Sequence, residues 1–360
     1  MNFFIPLVTA AILTFAVTPM VIRFAVALGL VDDPNVRYHP AHTHKGIIPR
    51  AGGLALLLGI ILTVGFSIPM TKLIIGMLVG ATLLTVVGLI DDKNDVSPYL
   101  RLATNAVAAL VVIGTGAGIP FITNPLTGGV ISLDTWRISF HLLGPRSIVV
   151  FADVLAFLWI MWTMNIIGWS AGVDGQMPGF VAISAFALGL LSLRYTLLDP
   201  TQASVTLLAF IVCGAFLGFL PWNFYPQKIM PGYGGKTIAG YFLAILGILS
   251  FAKLGTALLV LGVPMIDALY TLLRRIGKKR SPVLADRGHL HHRLLDLGWG
   301  KRRIALFYWG VSAILGAIAL TVTSQQKVFA LLLLLVAVGG FFVWVNFFTQ
   351  LSKPQDPDSG

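Results

Sequence analysis

The chain has 360 residues, 57% apolar and only 11% charged, with a mean hydropathy of +0.88. A soluble domain carries about 25% charge, so this composition excludes a soluble globular fold and points to the bilayer. The formal net charge of +11 sits in loops beside apolar runs, where it suits anionic headgroups or an anionic substrate; no nucleic-acid partner is expected.

A membrane helix needs ~20 mostly apolar residues. Eleven stretches qualify in chain order: Phe3–Ala27, Ala51–Ile68, Leu73–Ile90, Leu102–Ile119, Ile148–Ile167, Gly179–Leu197, Val205–Leu220, Ile238–Phe251, Leu254–Leu273, Ile304–Thr323 and Val328–Phe348. The first lacks a cationic start and exceeds a signal core of roughly 7–15 residues, so it reads as a span. The eighth and ninth are nearly continuous, with Lys253 and Gly255 suggesting a tight hairpin, which makes ten to twelve spans the range. The loop Pro120–Ser147 holds short alternating runs near Val130–Leu133 and Ile138–His141, the pattern of a small β-hairpin. Cys213, the single cysteine, falls inside the seventh span and reads as a packing residue. The expected fold is therefore an all-α polytopic membrane protein of about 11 transmembrane helices with one small extracytoplasmic β-hairpin. Residues 1–349 form one domain, and 350–360 form a polar tail expected to be disordered.

Charge orients the bundle. The loops after odd-numbered spans, with Lys353, hold eighteen of the twenty-five Lys and Arg residues; the opposite loops hold six, and Arg23 lies within the first span. The positive-inside rule places the richer side in the cytoplasm, the N-terminus outside and the C-terminus inside.

The unusual polar residues gather on that same side, as do six of the seven histidines. The first loop holds Asp32-Asp33-Pro34, His39, His42, His44 and Pro49-Arg50-Ala51-Gly52-Gly53. The three histidines lack Cys partners and helical spacing, which argues against a dedicated zinc site. The third span ends in Gly88-Leu89-Ile90-Asp91-Asp92-Lys93. Paired carboxylates at the mouth of a span are expensive, and they mark places where a cation, proton or phosphate is handled. The fifth loop runs Asn165 to Gly175 and includes Asp174; the seventh holds Pro231-Gly232-Tyr233-Gly234-Gly235-Lys236, which is glycine-rich without matching a Walker pattern. Asp267 lies within the ninth span, where position alone fits either a buried structural acid or a site residue. The ninth loop carries Asp286-Arg287-Gly288-His289-Leu290-His291-His292-Arg293.

Taken together and in order, these segments resemble the polyprenyl-phosphate N-acetylhexosamine-1-phosphate transferases, glycosyltransferase family 4, in the superfamily of phospho-N-acetylmuramoyl-pentapeptide transferase. The resemblance also covers Leu220-Pro221-Trp222-Asn223-Phe224, Pro264 to Asp267 and Ser281-Pro282, and it runs to about residue 300. The His-x-His-His block leans toward the hexosamine-1-phosphate branch. The resemblance implies transfer of a sugar-1-phosphate, with GlcNAc-1-phosphate expected, from a UDP-sugar to undecaprenyl phosphate with release of UMP. It places that step in cell-envelope glycan synthesis, such as that of lipopolysaccharide or teichoic acid. It implies Mg²⁺ or Mn²⁺ held by Asp91, Asp92 and Asp174, the same three being catalytic. One of the Asp pair would deprotonate or position the lipid phosphate; a covalent phospho-Asp route is the other possibility. Substrate would be bound by Arg50, Lys93, Asn165, Asp267, Arg287, His289, His291 and His292. A homodimer is compatible with this picture.

The chain departs from the family pattern at three places. Gly168 stands for an Asn and Ala171 for an Asp in the fifth loop, and Tyr233 stands for a metal-ligand Asp in the seventh. These positions predict altered metal binding. They keep open a non-catalytic member that binds polyprenyl phosphate or UDP-sugar without turnover. A lipid-phosphate or anion transporter is the third reading; it would place its charges near the midplane on paired broken helices.

Overall fold

The computed structural model describes residues 2–36, 44, 46–124, 127–141, 145–250, 253–277, 279 and 288–351. Within them lie helices α1 (Phe4–Ala27), α2 (Gly52–Ser67), α3 (Lys72–Asn94), α4 (Pro98–Ile113), α5 (Val150–Trp169), α6 (Gln176–Leu193), α7 (Thr201–Asn223) and α8 (Gly232–Leu249). They are followed by α9 (Lys253–Val260), α10 (Gly262–Gly277), α11 (Leu290–Asp296), α12 (Lys301–Thr321) and α13 (Ser324–Leu351). Seven of them, α1, α3, α5, α6, α7, α8 and α12, are long and apolar enough to cross a membrane, and α9 with α10 makes an eighth if the bent pair is one span. The protein is a helical, multi-pass membrane protein. His39, His42, Arg287 and the tail 352–360 lie outside the described residues.

Local chemistry sets the boundaries that matter for function. Thr71 caps α3 by accepting the Ile74 N–H. At its other end α3 runs four residues beyond the expected Ile90, through the Asp pair, and stops at Asp95, which adopts a left-handed φ of 49°. The carboxylates are thus in the last helical turn and not in a loop. Ser97 then caps α4, with Pro98 in the first helical turn, where its missing N–H has no bond to lose. This three-residue connection turns α4 straight back along α3.

The ninth expected span is not continuous. It breaks into α9 and α10 at an 80° bend. Leu261 N–H closes α9 onto Ala257 O, and Pro264 suits the first turn of a new helix because it lacks a donor. At the bend a side chain on Gly262 would fall 2.2 Å from Leu334 of α13.

In lipid, helices associate through close packing, which small residues permit. Gly214 and Gly218 of α7 admit α1: a Cβ there would come within 2.0 and 2.1 Å of the Leu7 and Ala11 carbonyl oxygens. Helices α6, α7 and α8 are the innermost and α1 is the most exposed of the long helices.

Among the described residues the sheet content is three two-stranded antiparallel hairpins. β1 (Val31–Asp32) pairs with β2 (Ile48–Pro49), which pins the two ends of the first loop together. In the loop between α4 and α5, β3 (Phe121–Thr123) pairs with β4 (Val130–Ser132), and β5 (Arg137–His141) pairs with β6 (Pro145–Val149). This corrects the expected single hairpin. The two alternating runs do not pair with each other; Val130–Ser132 pairs back to Phe121–Thr123 and Arg137–His141 pairs forward to Pro145–Val149. Gly128, at φ 73°, makes the turn that sends Val130–Ser132 back to Phe121–Thr123.

Candidate active site

A cavity of about 740 Å³ opens where one end of the bundle gathers the polar segments. Its lining comes from the first loop (Asp32, His44, Arg50), the end of α3 (Asp91) and the start of α4 (Arg101). Asn165, Gly168, Ala171 and Gly172 contribute from α5 and its loop, and Asn223, Gln227, Gly232, Tyr233 and Lys236 from α7, α8 and their connection. Arg275, His289, His291 and His292 complete it. All five of the odd loops singled out in the sequence therefore contribute.

Backbone contacts hold this assembly. Met230 N–H donates to Pro49 O at 2.8 Å, Gly52 N–H to Met230 O at 3.0 Å and Gly53 N–H to Pro231 O at 2.9 Å. Glycines let the chains meet: a Cβ on Gly53 would lie 2.4 Å from Gly235 N, and one on Gly88 would lie 2.4 Å from Gly234 Cα. The first loop, α2, α3 and α8 are thereby joined next to the acids.

The two aspartates have different surroundings. Asp92 Oδ1 accepts the Tyr233 backbone N–H at 3.0 Å and lies 3.3 Å from Arg50 Nε. Its Oδ2 sits against Gly232, where a Cβ would fall 2.0 Å away, and Gly232 has φ 68°, so glycine is required on both counts. Asp92 does not line the cavity. Asp91 does. Its Oδ1 accepts from Arg101 Nε, while its Oδ2 is buried and has no hydrogen-bond partner. Arg101 continues to Asp95 Oδ1 through Nη2 at 3.3 Å.

The histidine block is held from behind. Asp267, fully buried in α10, accepts the Leu290 N–H on Oδ1 at 2.9 Å and faces His289 Nδ1 with Oδ2 at 3.3 Å. The His289 and His291 rings are parallel within 3° at 5.8 Å, and His291 and His292 lie 4.2 Å apart. His291 presses on the fifth loop, where a Cβ on Gly172 would fall 1.8 Å from its Nε2. Burial holds the His291 pKa well below the ordinary imidazole value, and the charges of His292, His289 and Lys236 push the same way. His291 is thus neutral near pH 7, with Nδ1 buried and without a partner.

Comparison with known proteins bears directly on this geometry. The family model of glycosyl transferase family 4 matches residues 74–251, which include the Asp pair, the fifth loop and the glycine-rich start of α8. A protein of Mycobacterium tuberculosis named decaprenyl-phosphate N-acetylglucosaminephosphotransferase is 30% identical, over 97% of this chain and 90% of its own length. The chain belongs to glycosyl transferase family 4. The Bacillus subtilis member named probable undecaprenyl-phosphate N-acetylglucosaminyl 1-phosphate transferase is 29% identical over 89% of this chain and 85% of its own. The undecaprenyl-phosphate alpha-N-acetylglucosaminyl 1-phosphate transferase of Salmonella typhi is 26% identical, covering 89% and 84%.

Within this family member the expected site residues divide. Asp91, Arg50, Asn165, His289, His291 and His292 line the cavity. Asn165 also donates from Nδ2 to Met161 O at 2.7 Å. Asp267 stands behind the histidines, a buried acid that accepts the Leu290 N–H and lies outside the cavity lining. Asp174 is buried with both oxygens engaged: Oδ1 by Lys301 Nζ at 2.8 Å and Oδ2 by the Gln227 N–H at 3.3 Å. It too stands outside the cavity lining. Lys93 is exposed and lies outside the cavity lining, about 200° round the last α3 turn from Asp91.

Three cations of the cavity were not among the expected substrate-binding residues: Arg101, Lys236 and Arg275. Arg101 was discoverable. Ser97-Pro98 signals a new helix start, and a tight turn after Asp95 must bring its first residues back beside Asp91. Tyr233 replaces the expected acid without pointing a ligand at the Asp pair. Its hydroxyl lies 3.1 Å from Arg101 O and 3.0 Å from Asn105 Oδ1, so the side chain is directed to α4.

Proposed function

We propose that this chain transfers N-acetylglucosamine-1-phosphate from UDP-GlcNAc to undecaprenyl phosphate at the cytoplasmic membrane face, releasing UMP. The carrying observation is Asp91 Oδ2, a buried carboxylate oxygen without a partner, at a cavity furnished with Arg50, Arg101, Lys236 and three histidines. Both substrates are polyanions. Cations fixed in a partly apolar cavity offset their repulsion and stabilise charge on the transferring phosphoryl group.

A terminal oxygen of the lipid phosphate attacks the donor's sugar-bearing phosphorus. The new P–O bond forms as the bond from that phosphorus to the oxygen of UMP breaks. A phosphomonoester has a second pKa of about 6, so the acceptor is largely a dianion near pH 7 and needs no strong base. Arg50, anchored on Asp92, and Lys236 supply positive potential, and neutral His291 offers an uncharged ring to the donor side. Among the described residues no three His, Cys, Asp or Glu side chains are grouped to hold a metal. One free carboxylate oxygen does fit Mg²⁺ or Mn²⁺ arriving with a diphosphate, because Mg²⁺ commonly uses one or two carboxylates plus phosphate oxygens and waters. Held by Asp91, the ion would neutralise charge on the diphosphate. This reading centres the ion on Asp91, since Asp92 Oδ1 already faces Tyr233 N–H and Arg50 and both Asp174 oxygens accept from protein donors.

Counting α2, α4 and α13 with the eight spans above makes eleven crossings. The eighteen-to-six division of cations supports a cytoplasmic cavity, an outside N-terminus and an inside C-terminus. The test is transfer by the purified protein in detergent with radiolabelled UDP-sugars and undecaprenyl phosphate. Label entering the lipid with stoichiometric UMP is the expected result. Saturable binding of both ligands without transfer would favour the non-catalytic reading.

A further inference from the structure

Three contacts determine where the Arg101 guanidinium lies. The Tyr233 ring lies under it, with Cζ 5.4 Å from the ring centroid. The Tyr233 hydroxyl reaches the backbone carbonyl of Arg101 itself at 3.1 Å, and Asn105 Oδ1 at 3.0 Å, tying the ring to the same turn of α4. Asp91 and Asp95 then take Nε and Nη2. Nη1 has no acceptor among the described residues.

The cavity wall that α4 and α5 build beside Arg101 is largely apolar. Pro98, Tyr99, Leu102, Leu158 and Trp162 line it there, and Tyr99, Leu102 and Leu158 are also exposed on the outside of the bundle. The lining from α11, His291 and His292, is polar instead. A cation set among apolar side chains that continue to the outer, lipid-facing surface suits an anion carried on a hydrocarbon chain. A soluble nucleotide would not gain from such a mouth. The guanidinium is held flat by the ring and aimed by two carboxylates, which leaves one edge for a phosphate.

We propose that Arg101 binds the phosphate of the polyprenyl acceptor, and that Tyr233 is the positioning residue that holds it there. The identity of the acceptor rests on the transferase reading; the phosphate on an apolar chain does not. Tyr233 therefore has a function of its own at a position where an acid was expected. Its backbone N–H serves Asp92 whatever the side chain, so the side chain can be changed without disturbing that contact.

The experiment measures binding on the full-length protein in detergent, by native mass spectrometry with undecaprenyl phosphate, undecaprenol and UDP-GlcNAc. Tyr233→Leu and Arg101→Lys are each expected to weaken undecaprenyl phosphate about tenfold, the worth of one charge-assisted hydrogen bond. Tyr233→Phe, which keeps the ring, is expected to weaken it about threefold. Undecaprenol binding should stay as in the wild type, and UDP-GlcNAc affinity should move less than about twofold, since neither loses a hydrogen bond. Equal losses for undecaprenyl phosphate and undecaprenol would show a packing effect and overturn the proposal. A larger loss for UDP-GlcNAc would assign Arg101 to the donor diphosphate and overturn it as well. A chain that binds the lipid phosphate through Arg101 but transfers no sugar phosphate would overturn the transferase reading and leave this one standing.

Discussion

Lys301 Nζ lies 2.8 Å from Asp174 Oδ1 and joins the start of α12 to the turn before α6. Both side chains are largely buried, and the same acid receives the Gln227 N–H from the α7–α8 connection. Three segments around the cavity thus meet at one carboxylate. Lys301→Met should leave that charge buried without its partner and destabilise the protein by about 3–5 kcal/mol. Thermal unfolding in detergent reads the loss, and adding Asp174→Asn should recover most of it. If Lys301→Met melts like the wild type, the pair does not hold these segments together.

The Asp pair predicts two distinct defects. Asp91→Asn removes the cavity's free carboxylate oxygen and should lower turnover by about 10²–10³, as for loss of one group that stabilises transition-state charge. Asp92→Asn should act through Arg50, weakening the anion site while leaving Asp91 in place. Calorimetry of Mg²⁺ separates them: weak binding to the free protein, tighter binding with UDP-GlcNAc present, and loss of that gain in Asp91→Asn alone. Tight Mg²⁺ binding to the unliganded protein would reveal a ligand set other than Asp91.

His291 predicts a pH dependence. Its pKa is depressed in the folded protein by burial and by the neighbouring His292, His289 and Lys236 charges. An unfolded histidine titrates near ~6.5. Below that pH the unfolded chain binds a proton that the folded one refuses, so stability falls as pH falls, by up to about 1.4 kcal/mol per pH unit. Melting curves between pH 8 and pH 5 should decline more steeply for the wild type than for His291→Asn. His291→Ala should also weaken UDP-GlcNAc more than undecaprenyl phosphate. A wild-type slope no steeper than the variant's would mean His291 is free to protonate in place.

Orientation is checked by cysteine labelling. Lys93→Cys and Trp136→Cys place thiols at exposed positions on opposite ends of the bundle, and the natural Cys213 is buried. In intact cells an impermeant reagent should modify the residue at 136 and spare the one at 93. The reverse pattern would put the cavity outside and end the case for a cytoplasmic nucleotide donor.

From the residues alone the membrane class, the family and the end of the bundle where the polar segments gather are all legible. Spans are legible because ~20 apolar residues have few alternatives in lipid. The polar segments stand out against so apolar a background. Which polar atoms already have partners is visible only in the fold. Asp91 and Asp92 are neighbours with the same side chain, yet one lines the cavity with a free oxygen and the other anchors Arg50 and Tyr233. Asp174 and Asp267 both read as site acids, and in the fold Lys301 and the His289–Leu290 turn lie against them. The break between α9 and α10 and the use of Tyr233 as a support for Arg101 were equally out of reach. Each depends on a partner distant in sequence, and a partner is what a single position along the chain does not specify.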